Sequence, residues 1–400
     1  MSNFWKQKVA QESAAGMNVE STEELTHEGS PFAVENGEVE SLEKDGDALA
    51  SDMEQLGKIG EHIESTDEMS QETFDAVEVA QESIRKRWGL SDAKVAQESL
   101  GGAADLRVVA QESNDSGKKT LWERFIAWLK EMANKLKERW IKFHNAGKSL
   151  SKRATAYGVK VKELGEKKTD KISGGWIAQL TVNNQFIGNK SNEISKQVNF
   201  AKKSQKAQKE ILETVRQQLL AAFNLDKDKL VGFFNAGTAI TKLNATMQKS
   251  LESSEIVGNK YVAALEEGGE FVYELRDREG GIQEEIEVPS LSVLTQVTSS
   301  LYSFGKDLEA QLLEFRKTND LRLKIAGLEG KLDGTVSGLT RANDRESMKG
   351  LMDMAQKIST LTISRTNTIS QAESYIWKNL GSGLDGYIKA AIGAYDKKKK

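Results

Sequence analysis

The chain has 400 residues, with 60 acidic and 56 basic side chains, no cysteine and only two prolines. That length suffices for two or three domains or for one long helical assembly. The lack of cysteine excludes disulfides and thiolate metal sites, and no apolar run approaches the roughly 20 residues that a membrane-spanning helix needs. The first residues carry no apolar signal core, so we expect a protein that is cytosolic or assembled inside a cell.

The formal net charge of -4 conceals a division of the chain into two parts. Residues 1–112 carry 25 acidic and 9 basic side chains, a balance of -16, whereas residues 113–400 carry 35 acidic and 47 basic ones, a balance of +12. Such an asymmetry predicts an acidic tail attached to a basic body.

The pentapeptide Val-Ala-Gln-Glu-Ser occurs four times, and every copy lies in the acidic segment. The copies occupy residues 9–13, 79–83, 95–99 and 109–113. A solenoid needs a fixed period because each unit stacks on the next, and these intervals are irregular. The recurrence instead indicates a string that one peptide-binding partner recognises, most simply a protease that cuts at each copy.

Residues 13–78 are rich in Glu, Asp, Ser and Gly and carry only scattered apolar residues. Too little apolar surface is available to offset the entropy of ordering, so the composition predicts that the acidic segment, 1–112, is largely disordered. A short helix over 69–88 also fits the pattern. A flexible, extended chain is what a protease cleft accepts most readily.

The strongest amphipathic pattern begins at Thr120, where apolar residues recur at three- and four-residue intervals among lysines. It predicts a basic, amphipathic helical segment over 113–175. Such an apolar face can pack on other helices, and this is the favoured alternative. Its Trp and Lys residues also fit a helix that lies in a membrane interface. The face consists of Leu121, Phe125, Trp128, Leu129, Met132, Leu136, Trp140 and Phe143.

Residues 176–400 are expected to form a helical body with one β-hairpin near 270–288. The stretch 176–187 fits either a strand or a helix, and a helix is expected to start after Ser191, which can serve as its N-cap. A helical pattern with breaks at glycine then continues through 230–265.

The hairpin is predicted from two nearly alternating stretches, 271–275 and 282–288, on either side of Gly280-Gly281. Pro289 ends the second stretch, and Ser290 can cap a new helix.

A heptad-like apolar seam then runs over four heptads and can be buried within one chain or between two chains. Two polar members, Thr362 and Arg365, would weaken a dimer or set its register. The seam consists of Met348, Leu351, Ala355, Ile358, Thr362, Arg365, Ile369, Ala372 and Ile376.

The last four residues, Lys397, Lys398, Lys399 and Lys400, form a basic end that can contact phosphates without reading a nucleotide sequence.

Patterns that would indicate catalysis are lacking in the sequence. No His-Glu-x-x-His metal motif occurs. Gly147-Lys148-Ser149 resembles the end of a phosphate-binding loop, but Lys142 stands where that loop needs its first glycine. We therefore predict no enzymatic activity, no metal site and no cofactor.

The repeated string resembles the processing sites of phiKZ-like giant tailed bacteriophages, whose prohead protease cleaves after glutamate in a consensus of small residue, any residue and Glu. The resemblance implies scission between Glu12 and Ser13, Glu82 and Ser83, Glu98 and Ser99, and Glu112 and Ser113. It also implies that the protease recognises the residues before each glutamate, namely Ala10, Gln11, Ala80, Gln81, Ala96, Gln97, Ala110 and Gln111. Other matches to the short consensus, such as Ser70-Gln71-Glu72, lack the pentapeptide context.

The layout of an acidic, removable leader (the acidic segment, residues 1–112) and a helical body also resembles the internal head proteins of that group. The resemblance implies a structural protein of the head interior, with the prohead protease, capsid or scaffold proteins and packaged DNA as partners, and with self-association allowed. It implies residence in the host cytoplasm during assembly and, for some members, after ejection. Two alternatives stay open: a helical effector that binds a membrane or a partner, and a coiled-coil scaffold whose repeated strings are docking motifs.

Overall fold

The structure is a computed structural model that describes residues 32, 37–65, 69–88, 103–224, 255–267, 270–337 and 342–398. Helices account for most of these residues and confirm the predicted, mostly α class. Sixty residues at 1.5 Å each make the third helix about 90 Å long, so the bundle is elongated. The helices are α1 (Gly37–Ser65), α2 (Gln71–Arg87), α3 (Ala103–Lys162), α4 (Trp176–Gln179), α5 (Ser191–Asn224), α6 (Leu291–Ser337) and α7 (Ala342–Gly393).

Short antiparallel strands join the helices at their ends. Strand β1 pairs with β9, β2 with β8, and β3 with β4, while β5, β6 and β7 form a three-stranded sheet. The first two pairs connect the end of α3 with the end of α7 and the start of α6. The strands are β1 (Leu164–Lys167), β2 (Lys171–Ser173), β3 (Thr181–Val182), β4 (Gln185–Phe186), β5 (Glu255–Ile256), β6 (Lys260–Glu267), β7 (Glu270–Asp277), β8 (Glu285–Glu287) and β9 (Tyr395–Lys397).

The predicted hairpin near 270–288 is correct for one strand and wrong for its partner. Strand β7 pairs with the preceding strand β6, and Glu267 lies opposite Glu270. The later stretch contributes β8, which pairs with β2 and sets Ile286 opposite Ile172. Gly-Gly pairs stand on both sides of 270–277 in the sequence, and the ladder of eight residue pairs forms across the first.

The predicted helix is also wrong at 164–173 and at 255–265, which lie on strands. The partners of 164–173, β9 and β8, are distant in sequence, so the local pattern carried no signal of that pairing. Residues 255–265 instead pair with each other and with β7, which follows directly in the chain. The ambiguous stretch 176–187 contains both types of structure. It begins with α4 and then turns between β3 and β4 at Asn183 and Asn184, whose φ angles are 50° and 59°. Two left-handed residues are typical of a tight hairpin turn.

The apolar face of α3 is buried along its whole length, as the packing alternative predicts. Helix α6 covers one part, where Trp140 stacks on Phe315 with ring centroids 4.8 Å apart. Helix α1 covers another part, where the Trp128 indole lies against Gly46 and donates a hydrogen bond to the Leu42 carbonyl oxygen at 2.7 Å. The buried residues are Leu121, Phe125, Trp128, Leu129, Met132, Leu136, Trp140 and Phe143.

One predicted helix start is confirmed, and another differs by one residue. The helix expected after Ser191 is α5, which includes Ser191 as its first residue. Before α6, the Ser290 hydroxyl accepts a hydrogen bond from the Val293 amide at 3.3 Å, as a capping serine does. Among the described helices, none is both long enough and apolar enough to cross a bilayer.

The heptad seam lies on α7, and its last three members, Ile369, Ala372 and Ile376, are fully buried within the chain. Helices α5 and α6 pack against α7. These three positions therefore serve the intrachain bundle. The side chains of the seam from 348 to 365 lie outside the described residues.

Two helices lie in the acidic segment, where composition predicts disorder. Helix α2 matches the short helix expected over 69–88. Helix α1 differs from the expectation for 13–78, because its apolar residues bury against α3 and α7. Leu49, Met53, Leu56 and Ile63 are all buried. Burial in a tertiary contact offsets the ordering entropy that an isolated segment of this composition could not offset.

Candidate processing site

Two of the four pentapeptide copies fall on described residues, and both are helical. Residues 79–83, here called the α2 copy, lie near the end of α2. Residues 109–113, the α3 copy, lie in the second and third turns of α3. The copies at 9–13 and 95–99 lie outside the described residues.

Each described copy directs its glutamate toward solvent and part of the preceding Ala-Gln pair toward the protein. Glu112 is exposed, and Glu82 is half-buried and forms an ion pair with Lys86 at 2.6 Å. Gln81 and Ala110 are each 2% exposed. The glutamate side chains are therefore at least partly accessible, while one residue of each preceding Ala-Gln pair is buried.

The two described copies contact each other. The Gln81 side chain donates a hydrogen bond to the Ala110 carbonyl at 3.3 Å and accepts one from the Ser113 hydroxyl at 2.8 Å. Arg85 donates to the Ser113 hydroxyl at 2.7 Å and to the Ser113 carbonyl oxygen. We call these four residues the copy–copy contact. The cationic donor makes its hydrogen bonds stronger than neutral ones.

Helix α1 closes the other side of the α3 copy. Asn114, directly after Ser113, is fully buried and lies against Gly60. Neither polar atom of the Asn114 amide has a hydrogen-bond partner among the described residues. A buried amide without a partner costs about 1–3 kcal/mol, so this turn of α3 is folded but weakened.

A charged clamp fixes the end of α2 to α1. The fully buried Asp52 carboxylate accepts hydrogen bonds from Arg87 at 2.6 Å and from the Trp88 indole at 2.7 Å. Both donors follow the α2 copy in the chain. Residues on either side of the bond between Glu82 and Ser83 are thus held by tertiary contacts.

The hydrophobic core changes along α3 close to Ser113. A satellite cluster, separate from the main core, is built only from residues that precede Ser113, and α3 joins the main core from Leu121 onward. The predicted boundary at 112/113 therefore lies inside a continuous helix but between two packing environments. The satellite cluster consists of Ile63, Met69, Phe74, Val77 and Ala110, with Ile59, Leu106 and Val109 packed against it.

The C-terminal lysines lie apart from this site, at the strand end of the bundle. Lys397 ends β9 opposite Leu164, and the Lys398 ammonium donates to the Lys162 carbonyl at 3.0 Å. Lys399 and Lys400 lie outside the described residues. A cation at the end of α3 also complements the negative end of the helix dipole.

Sequence reasoning singled out the pentapeptide copies but not Asp52, Arg85 and Asn114, which contact the two described copies or the residues beside them. Each belongs to a residue type that is ordinary on a solvated helix. Arg85 and Ser113 are 28 positions apart, so no local periodicity relates them. Only the pairing of α2 with α3 brings them together.

Fold and site together define a class: an elongated helical protein whose acidic N-terminal segment is folded onto a basic body and carries a repeated peptide string. A family model of phiKZ-like phage internal head proteins matches residues 35–375. The chain belongs to this family and is a structural protein of the phage head interior. The match begins within the acidic segment and so includes α1 and α2. Comparisons with curated proteins and with solved structures gave no match.

Proposed function

We propose that this internal head protein is non-enzymatic and is matured by the prohead protease, which cuts after Glu12, Glu82, Glu98 and Glu112. The observation that carries the proposal is the confinement of the four identical strings to the acidic segment. The net charge along the chain changes from negative to positive at the last copy. The change of packing environment near Ser113 supports the same boundary.

The charge balance gives this maturation a physical purpose. Dense DNA repels the leader of -16, whereas the body of +12 attracts phosphate. Removing residues 1–112 therefore converts a protein of net charge -4 into one that associates with packaged DNA through nonspecific, salt-sensitive contacts. Several cuts also divide the leader into pieces small enough to leave the shell.

N-terminal analysis of the protein taken from mature phage particles tests the processing step. We expect a chain that begins at Ser113. Particles assembled with Glu112→Gln should instead yield a longer chain that begins at Ser99, since the preceding cut still occurs. A full-length chain in mature particles would contradict the proposal.

DNA association is tested by measuring the binding of duplex DNA to intact and cleaved protein over a range of salt concentrations. We expect the cleaved protein to bind more tightly, with an affinity that falls steeply as salt rises. Replacing Lys397–Lys400 by alanine should reduce the salt slope if these residues contact phosphate. Equal binding by intact and cleaved protein would contradict the role of the leader.

A second candidate, a membrane-binding effector, is favoured by one contact. Helix α1, which lies within the proposed leader, packs over Trp128 and accepts its indole hydrogen bond. Trp140 instead stacks on Phe315 of the body. Processing and loss of α1 would expose Trp128 beside cationic residues, as at a membrane interface. Co-sedimentation of cleaved protein with anionic liposomes should then be lost in Trp128→Ser. Lack of sedimentation by the parent protein would leave the apolar face with a packing role only.

A further inference from the structure

We propose that the copy–copy contact sets the order of processing: the cut after Glu82 comes first and accelerates the cut after Glu112. This inference rests on the proposed function, because it concerns the regulation of the same sites. It predicts that the leader is released through an intermediate that begins at Ser83 or Ser99 before the body that begins at Ser113 appears.

A helix is a poor protease substrate, because a protease cleft binds an extended chain and an uninterrupted helix must open first. When opening and closing are fast, the cutting rate follows the population of the open form. Each copy is cut at a rate set by how readily its own turns of helix unfold. Contacts that hold one copy closed therefore slow its cleavage, and the rate falls exponentially with the free energy that they contribute.

The α3 copy is held more firmly than the α2 copy. Its Ala110 is buried, Ser113 receives hydrogen bonds from Arg85, and the next residue, Asn114, is buried against Gly60. It also lies inside a helix of 60 residues whose later turns are anchored in the main core.

The α2 copy is more accessible. Its helix has 17 residues, and within the pentapeptide only Gln81 is buried, while Val79 is 66% exposed. The bond between Glu82 and Ser83 lies five residues before the end of α2. Short helices open more readily than long ones because fewer contacts must break together.

Cleavage after Glu82 would separate the two side chains that hold Ser113. Gln81 would remain on the N-terminal piece and Arg85 would move to the next piece. A helix interrupted between them loses the continuous hydrogen bonding that aligns both on Ser113. The α3 copy then loses the polar contacts at Ser113. It retains the apolar contacts of Ala110 in the satellite cluster and the contact of Asn114 with α1, which the unsatisfied Asn114 amide weakens.

The experiment uses the full-length chain and two proteases, the prohead protease and an unrelated glutamate-specific endoprotease. Mass spectrometry follows the products that begin at Ser83 and at Ser113 over time. Glu82→Gln blocks the first cut, and we expect it to slow the appearance of the Ser113 product on the order of tenfold. Glu112→Gln should leave the Ser83 product within about twofold of its parent rate.

Arg85→Ala tests the contact without removing a cut site. We expect the Ser113 product to appear ~3- to 10-fold faster, because two charge-assisted hydrogen bonds to a half-buried serine are lost. Arg87→Ala is the matched control. This variant also removes a cation from α2, but Arg87 binds Asp52 and does not contact the α3 copy. We therefore expect no direct increase in the rate at which the Ser113 product appears.

Four outcomes decide the matter. An unchanged Ser113 rate in Glu82→Gln overturns the proposed order, as does an Arg85→Ala rate equal to that of Arg87→Ala. In urea, where the helices are unfolded, all variants that retain Glu112 should give the Ser113 product at one rate, and a difference there would assign the effect to sequence recognition. If only the glutamate-specific endoprotease cuts, with the expected order, the contact is verified and the assignment to the prohead protease fails.

Discussion

At the scale of single residues, the main core contains a buried ion pair that should be expensive to break. Arg153 on α3 and Asp385 on α7 are 2.9 Å apart and almost fully buried, and the Tyr157 hydroxyl donates to the same carboxylate at 2.7 Å. Burial and the negative charge of Asp385 raise the pKa of Tyr157, so its hydroxyl stays a donor at any ordinary pH.

We predict that Asp385→Ala lowers the free energy of unfolding by about 3–5 kcal/mol, because it leaves the Arg153 guanidinium buried without its counter-charge. Urea denaturation followed by circular dichroism measures the change. Asp396→Ala is the control, since its ion pair with Lys168 is solvent-exposed and should contribute less than about 1 kcal/mol. Similar losses in both variants would contradict the argument.

A second buried carboxylate should make stability depend on pH. Glu373 on α7 accepts a hydrogen bond from Gln208 at 3.0 Å, and burial raises its pKa from 4.5 to about 8 despite nearby Arg139 and Arg322. The folded protein then retains a proton that the unfolded chain releases. The contribution of this group is greatest below about pH 4.5 and falls as the pH rises toward 8.

Glu373→Gln should remove this contribution to the pH dependence. We expect the parent protein to lose more stability than the variant between about pH 5 and about pH 8, as measured by urea denaturation at both values. Parallel changes in the two proteins would show that Glu373 ionises with an ordinary pKa.

At the scale of secondary-structure elements, α3 and α6 approach each other closely through two glycines. A β-carbon added at Gly147 would lie 2.7 Å from the Gly305 carbonyl oxygen, and one added at Gly305 would lie 2.5 Å from the Ser151 hydroxyl. Backbone atoms cannot move aside as a flexible side chain can. The contact between these helices therefore depends on the missing side chains.

Gly147→Ala should reduce stability by about 1–3 kcal/mol, since the helices must separate to admit the methyl group. Gly327→Ala on α6 is the matched control, because nothing lies within 4 Å of its β-carbon position. There the higher helix propensity of alanine should add about 0.5–1 kcal/mol. We expect the unfolding temperature to fall in Gly147→Ala and to rise in Gly327→Ala. A fall in both variants would mean that backbone flexibility, and not the close helix contact, is the reason for glycine at position 147.

The helices and strands also differ in how well the sequence predicts them. The apolar face of α3 and the Ser290 cap arise from neighbours in sequence, so periodicity and residue type sufficed to find them. Strand β7 has a Gly-Gly pair on each side in the sequence, and the prediction chose the wrong one. The pairing of β2 with β8 joins segments that are distant in sequence and meet only in the folded chain. The copy–copy contact belongs to this second kind, because the strings were visible and their packing against each other was not.

At the scale of the whole molecule, the acidic leader is attached by more than its peptide bond. Cuts after Glu12 and Glu82 would produce a piece, 13–82, that carries 20 acidic and 2 basic residues against a body of +12. The piece also contributes Leu49, Met53 and Leu56 to the main core. Both the apolar burial and the opposite charges favour continued association after scission.

We therefore predict that cleavage alone does not release residues 13–82. In size-exclusion chromatography at about 0.1 M NaCl, the piece should elute with the body, because charges that are close together are only partly screened. Excess duplex DNA should displace it, since phosphates compete with the 20 carboxylates for the same basic body. Dextran at equal mass concentration is the control for crowding. If the piece separates without DNA, scission alone is sufficient for release. If it stays bound in excess DNA, apolar contacts outweigh the competition for the basic body. The leader would then remain in the head as part of the mature protein.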